Sequence, residues 1–255
     1  MPLPGFAPTS PWTGGAQRGA RADDAGLIRA RAVRFPTFAI ACGEEGSDPL
    51  VRYEEQLVRV DEFAASKHFD RQDEDLADVA RLGIRVWRYG MPWRLTERSP
   101  GQYDWTLWDR ALSACARHGL QPVIDLCHFG LPDHYRGFCD PSWVDGFCRY
   151  ADAFLVRYRE PQWFTPINEP GVTAMCSALY GIWNDGRRSR ADFFTALGYV
   201  TLANLEVVER IRADRDGWWI GSEGFTCPVV LAAGAEPEAA AMRASPRAWP
   251  PWRWR

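Results

Sequence analysis

The sequence predicts an α/β protein, a partial (β/α)8 TIM barrel of about five βα units. Three observations carry this. Short apolar runs alternate along the chain with amphipathic helical segments. The runs are almost continuously apolar, as strands buried on both faces are. Polar residues then gather where the runs end: Arg88, His128, Asn168 and Glu169. An open doubly wound sheet is the other closure such units allow. The first strand-to-helix turn carries no GxGxxG, which weakens a nucleotide-binding sheet. Chemistry drawn from several strand ends is the habit of the barrel.

The first strand is expected over about 36–42, in FPTFAIAC before Gly43. A polar helix follows from about Asp70, with Leu76, Val79 and Leu82 on one face and Gly83 as its stop. IRVWRYG forms the second strand, near 84–89. Asp104 to His118 reads as the next helix, with Leu107, Ala111, Leu112 and Cys115 on one side and Gly119 closing it. PVIDLCHF supplies the third strand, near 121–127. Its helix opens after Pro141, with Ser142 as N-cap and Asp145 three residues on. Trp143, Val144, Phe147, Ala151, Phe154, Leu155 and Tyr158 form its apolar stripe. WFTPIN, near 163–168, is the fourth strand. A helix from about Asp192 then carries Phe193, Leu197, Val200, Leu205, Val208 and Ile211, and WWIGSEGF, near 217–223, is the fifth strand.

The flanks differ. Residues 1–33, rich in Pro, Gly, Ala and Arg, read as a loose leader, residues 34–232 as the partial barrel, and 233–255 as an aberrant tail. The last dozen residues crowd Pro, Arg and Trp without a stripe, as expected of a truncation or a shifted reading frame. Five units leave two open sheet edges, which predicts self-association of the isolated chain. The sequence sets no particular oligomeric state.

Composition narrows the function. The 255 residues are 46% hydrophobic and 25% charged, with a net charge of -3. No apolar run approaches the ~20 residues of a membrane helix, and no basic stripe points to nucleic acid. Seven scattered cysteines without a CxxC pair argue against zinc and redox motifs. Free, buried-looking cysteines and the lack of a secretory signal point to the cytoplasm. Thirteen tryptophans suit either sugar-stacking faces or a large aromatic core.

The sharpest local signal is FTPINEP. It sets a carboxylate, Glu169, at the end of a buried strand, beside the amide of Asn168 and before Pro170. Glycoside hydrolysis needs an acid whose pKa an apolar surrounding raises, so that it can protonate the leaving oxygen. A pair of cap residues opening a short helix is the plainer reading. Arg88 reads either as a site residue or as a structural ion pair. His128 reads either as a ligand-facing side chain or as a core histidine.

The stretch from HGLQPVIDLCHFGLPDHY through DPSWVDGFCRYADAFLVRY to FTPINEP resembles glycoside hydrolase family 1, the β-glucosidase family. There one strand ends in His-Trp-Asp-Leu-Pro and the next in Asn-Glu-Pro; here the first motif is His128-Phe129-Gly130-Leu131-Pro132. VWRYGMPW is similar to the family's Tyr-Arg-Phe-Ser-Ile-Ser-Trp, with Arg88 and Trp93 on its positions, and ALYGIW, with Tyr180, Gly181 and Trp183, also looks related. The resemblance implies hydrolysis of O-glycosides with retention, without metal or cofactor, on a small-molecule glycoside or sugar. It implies Glu169 as acid/base, and Arg88, His128, Asn168, Tyr180 and Trp183 as substrate-binding residues, with Glu223, at the end of the fifth strand, as a further candidate.

Departures matter too. Gly43 stands where the family has a sugar-binding Gln, and Phe129 where it has Trp. The pattern is similar to a bacterial family 1-like branch, some members of which are joined to a dTDP-4-dehydrorhamnose reductase-like domain. A retaining enzyme needs a second carboxylate ~5–5.5 Å from the first, which the family carries on its seventh strand. Five units use up this chain, so that nucleophile is expected to be missing; Glu223, Glu44 and Glu45 are the carboxylates left to consider. A non-catalytic carbohydrate-binding remnant is therefore the rival reading.

Overall fold

The computed structural model describes residues 40–54 and 56–221. The expected leader, the tail, Glu223 and the opening residues of the first strand lie outside them. In chain order the elements are β1 (Ala41–Glu44), β2 (Leu50–Tyr53), β3 (Gln56–Arg59), α1 (Glu62–Ser66), α2 (His68–Arg81), β4 (Val86–Gly90), α3 (Trp93–Thr96), β5 (Glu97–Ser99) and β6 (Gln102–Tyr103). They continue with α4 (Thr106–His118), β7 (Gln121–Asp125), α5 (Ser142–Arg157), β8 (Trp163–Thr165), α6 (Pro170–Ala174), a π-helical segment (Met175–Leu179), α7 (Arg190–Asp214) and β9 (Trp218–Trp219).

Five strands form one sheet in the order β1-β4-β7-β8-β9, and every neighbouring pair is parallel. Each strand thus lies beside the strand of the next unit, the winding of a barrel. Side-chain alternation decides between the two closures. Trp87, Tyr89, Ile124 and Phe164 point into the large cluster that α2, α4, α5 and α7 complete. Val86, Val123 and Trp163 form a separate small cluster with Ile220. Among the described residues, helices therefore cover one face, and the other turns inward. The fold is α/β, a partial (β/α)8 barrel.

The aromatic residues explain much of the composition. Trp93, Trp108, Trp143, Trp163, Tyr150, Phe147, Phe154 and Phe164 are all fully buried. Trp93 stacks on Tyr150 at 5.5 Å and tilts against Phe147 at 5.3 Å. Burying each such ring is worth about 1.5–3 kcal/mol, so the core accounts for these four tryptophans and for Trp87.

Several boundaries moved. β1 begins at Ala41 and runs to Glu44, later than the apolar run indicated. β8 ends at Thr165, leaving Pro166 to Asn168 as a buried strand-end turn. β9 is only Trp218–Trp219, and both rings are about half exposed. Ser142 does not cap α5: Pro141 holds the cap position, and the Asp140 carboxylate accepts the Ser142 N–H at 2.9 Å. An acid just before the helix thus satisfies its first orphan donor. Leu82 is exposed because it ends α2, past the last buried turn. Leu205 is exposed because the buried stripe of α7 passes through Ala203, Asn204, Val207 and Val208. Gly119 does close α4, at φ +66. Two antiparallel hairpins, β2–β3 and β5–β6, had not been expected.

Candidate active site at the strand ends

The inward residues of neighbouring strands come level through the parallel register, which pairs Gly43 with Arg88, Gly90 with Asp125, and Asp125 with Thr165. Arg88 and Asp125 therefore share the inner face one step above the Val86–Val123–Trp163 layer. Arg88 Nη2 donates to Asp125 Oδ2 at 2.5 Å and also to Asn168 Oδ1. His128, three residues beyond Asp125 in the turn, reaches back so that Nδ1 donates to the same Oδ2 at 2.8 Å. Its Nε2 donates to Glu45 Oε1 at 2.9 Å, an oxygen that also accepts from Ser47.

Two cations and two anions thus meet in one network. Asp125 and His128 are buried, whereas Glu45 is 59% exposed. Burial alone would lower the His128 pKa. The Asp125 carboxylate and the hydrogen bonds to Asp125 and Glu45 outweigh it and lift the imidazole to about 9. The hydrogen bond from His128 in turn holds Glu45 at about 2. At neutral pH the ring is an imidazolium with both protons committed. Asn168 Nδ2 lies 3.1 Å from His128 Nε2 and joins the amide to the same network.

The pairing predicts a pH dependence. The folded-state value lies above the ordinary 6.5, so the stabilisation is complete below about pH 6.5 and is lost as pH rises through about 9. A displacement of this size corresponds to on the order of 3 kcal/mol. Urea unfolding of the wild type between pH 6 and 10 should show this decline, and His128→Asn should flatten it.

Glu169 follows directly. It occupies the cap position of α6 at φ +42, a left-handed conformation that is uncommon for a residue with a side chain. Its carboxylate does not cap the helix. Thr173 closes the turn instead, its N–H donating to Glu169 O at 2.8 Å and its hydroxyl to Asn168 O at 3.0 Å. The cap reading thus holds for the backbone of Glu169 but not for its half-buried side chain. The neighbouring Cys176 thiol is pushed up to about 11 by burial, with the Glu169 charge adding to it. Such strained residues gather at functional sites.

Of the other candidates, Trp183 is half-buried and meets Phe129 at 4.8 Å, and Phe129 meets His128 edge-on at 4.9 Å. Tyr180 ends the π-helical segment, half-buried. Arg88 forms the ion pair of its structural reading, with Asp125, and also bonds Asn168. Glu44 turns towards the helix layer, 3.8 Å from His68, and leaves the site. Asp125 and Glu45 are members that sequence reasoning did not single out as substrate-binding. Asp125 had a signal, a lone charge inside an apolar strand. Glu45 had been named only as a carboxylate following the first strand, because its reach to His128 depends on how the chain turns after β1.

Among the described residues no cluster of three or more His, Cys, Asp or Glu is placed to hold a metal ion, and no helix is long and apolar enough to cross a membrane. A cleft of about 540 Å³ lies near the opposite end of β7, lined by Leu112, Cys115, Pro122 and Tyr158.

Parallel strands whose C-terminal ends bring together carboxylate, imidazolium, guanidinium and amide groups are where (β/α)8 barrels carry their sites. The family description "Glycosyl hydrolase family 1" matches residues 49–248. This chain belongs to glycosyl hydrolase family 1. Beta-glucosidase A of Thermotoga maritima is 26% identical over 157 residues, which are 58% of this chain and 35% of that protein. Aryl-phospho-beta-D-glucosidase BglC of Bacillus subtilis is 26% identical over 158 residues, 58% of this chain and 33% of that protein. The solved beta-glucosidase from Thermotoga maritima in complex with glucoimidazole superposes with a TM-score of 0.55 at 22% identity, covering 60% of this chain and 37% of that one. The matched stretch spans about a third of the length of these relatives.

Proposed function

We propose that this chain carries the acid/base side of a retaining O-glycosidase site. Glu169 protonates the leaving oxygen and later activates water. The amide of Asn168, the imidazolium of His128 and the exposed carboxylate of Glu45 bind sugar hydroxyls, with Arg88 fixing Asn168 and Tyr180 and Trp183 flanking the sugar. Glu223 is proposed as an additional substrate contact. No metal or cofactor enters the reaction, and the substrate is a small glycoside. The free cysteines support a reducing compartment, the cytoplasm.

The observation that carries this reading is the convergence of Asn168, His128 and Arg88 in one hydrogen-bonded cluster with Glu169 next in the chain. Retention needs a second carboxylate ~5–5.5 Å from the first, which the family resemblance assigns to a later strand. Residues 1–255 alone are therefore expected to turn over nitrophenyl glycosides negligibly, because general-acid assistance alone is worth ~10²–10⁴-fold. Turnover by the purified chain should be compared with Glu169→Gln and Glu223→Gln. Absent turnover with sugar binding that needs Asn168 and His128 supports the reading. Robust turnover lost in both variants would make Glu223 the second carboxylate and overturn the expectation of a missing nucleophile.

A further inference from the structure

Asn184 lies outside the strand-end network, yet it is buried and fully bonded. It sits at φ +38, a left-handed position that asparagine tolerates better than most residues. Its backbone N–H donates to Leu50 O at 2.7 Å, and its Oδ1 accepts the Leu50 N–H at 3.1 Å. Its Nδ2 donates to Phe129 O and to Ser177 Oγ, each at 3.0 Å. One side chain thereby ties together β2, the turn after β7 and the π-helical segment that follows the Glu169 helix.

The turn it holds is strained. Phe129 lies at φ +66, a left-handed conformation unfavourable for a residue with a Cβ. Glycine at position 130 lets the chain pass Asp48, since a Cβ there would stand 2.2 Å from Asp48 O. Asp48 N donates to His128 O at 3.3 Å from that side. Asn184 grips the Phe129 carbonyl. The next residue, Asp185, fastens the far end of the same loop, accepting the Cys139 N–H at 2.8 Å and the Phe138 N–H at 2.9 Å. Trp183, immediately before Asn184, packs on the Phe129 ring.

We propose that Asn184, seconded by Asp185, is a positioning residue of the strand-end site. It holds Phe129 in its left-handed conformation, and so fixes the His128 ring and the Phe129–Trp183 wall in the geometry a ligand meets. The reasoning is energetic as well as geometric. Without the amide donors the Phe129 carbonyl is left unsatisfied in the interior, and the turn gains by relaxing towards an ordinary φ. The peptide that carries His128 then rotates with it. Asn184 itself touches no ligand. Only the ligand-binding readout rests on the glycosidase reading; the two ring readouts do not.

The test uses the full chain with Asn184→Asp, which keeps the acceptor for Leu50 but removes both donors. Asn184→Gly removes every side-chain bond and leaves the left-handed backbone unstrained. In the free protein, NMR would follow the His128 titration, one of only four histidines to resolve, and the through-space contact between the Phe129 and Trp183 rings. In parallel, calorimetry would measure binding of deoxynojirimycin. The expected result is a folded variant in which the Phe129–Trp183 contact is lost and the His128 titration moves down from that of the wild type. Where the wild type binds the probe, the variants should bind it about tenfold more weakly. Should Asn184→Asp not fold, Asn184→Gly carries the same readouts. Folded variants with both ring readouts as in the wild type would overturn the proposal. A wild type that binds no probe would count against the glycosidase reading, while the ring readouts would still decide the positioning role.

Discussion

Asp125→Asn should cost about 3–5 kcal/mol of folding stability, the range for removing one partner of a buried ion pair. Asp125 is fully buried, and a single oxygen, Oδ2, serves both Arg88 and His128. Asparagine keeps the shape but takes away a buried anion that two cations share. Glu45 is exposed and reaches only the far side of His128, so it cannot replace that charge. His128 answers by releasing its proton: its pKa should fall from about 9 towards or below 6.5. Urea unfolding at pH 7 measures the first effect and NMR titration the second. A variant as stable as the wild type, with His128 still titrating near 9, would mean that the network does not hold the site as described.

Gly90→Ala should disturb the same place from the opposite direction. A Cβ on residue 90 would stand 2.7 Å from His128 Nδ1 and 3.2 Å from its Cγ. The ring must move, yet Nδ1 is the atom bonded to Asp125 at 2.8 Å. Overpacking of this kind costs about 1–3 kcal/mol, and the displaced ring also loses its carboxylate. Stability should therefore drop together with the His128 pKa. Thermal unfolding and the same titration check it. A drop in stability without any change in the titration would place the strain elsewhere.

How much of this was legible in the sequence follows from physics acting at different ranges. The five strands and the helices between them declared themselves because local periodicity reports burial: Val86 to Gly90 and the Trp163–Thr165 strand are almost wholly buried. Arg88, His128, Asn168 and Glu169 stood out as polar residues at the ends of such runs. Asp125 was visible in principle, as a charge inside PVIDLCHF, but its meaning needed the register that brings it beside Arg88. The β2–β3 hairpin is short and its Tyr53, Leu57 and Val58 are exposed, so no apolar alternation announced it. Asn184 bonds Leu50, which lies 134 positions away in the chain; no local pattern encodes such a contact. Ser142 shows the converse, a local cap motif overridden by Asp140.

The central claim, that the strand-end cluster is a sugar site with Glu169 at the reacting centre, is tested most directly by solving a crystal structure of the chain soaked in deoxynojirimycin. The account predicts the ring seated against Asn168 and His128, with its hydroxyls on the Asn168 amide and the Glu45 carboxylate and Glu169 alongside. Density instead in the cleft lined by Leu112, Cys115, Pro122 and Tyr158, with the strand ends empty at saturating ligand, would contradict it.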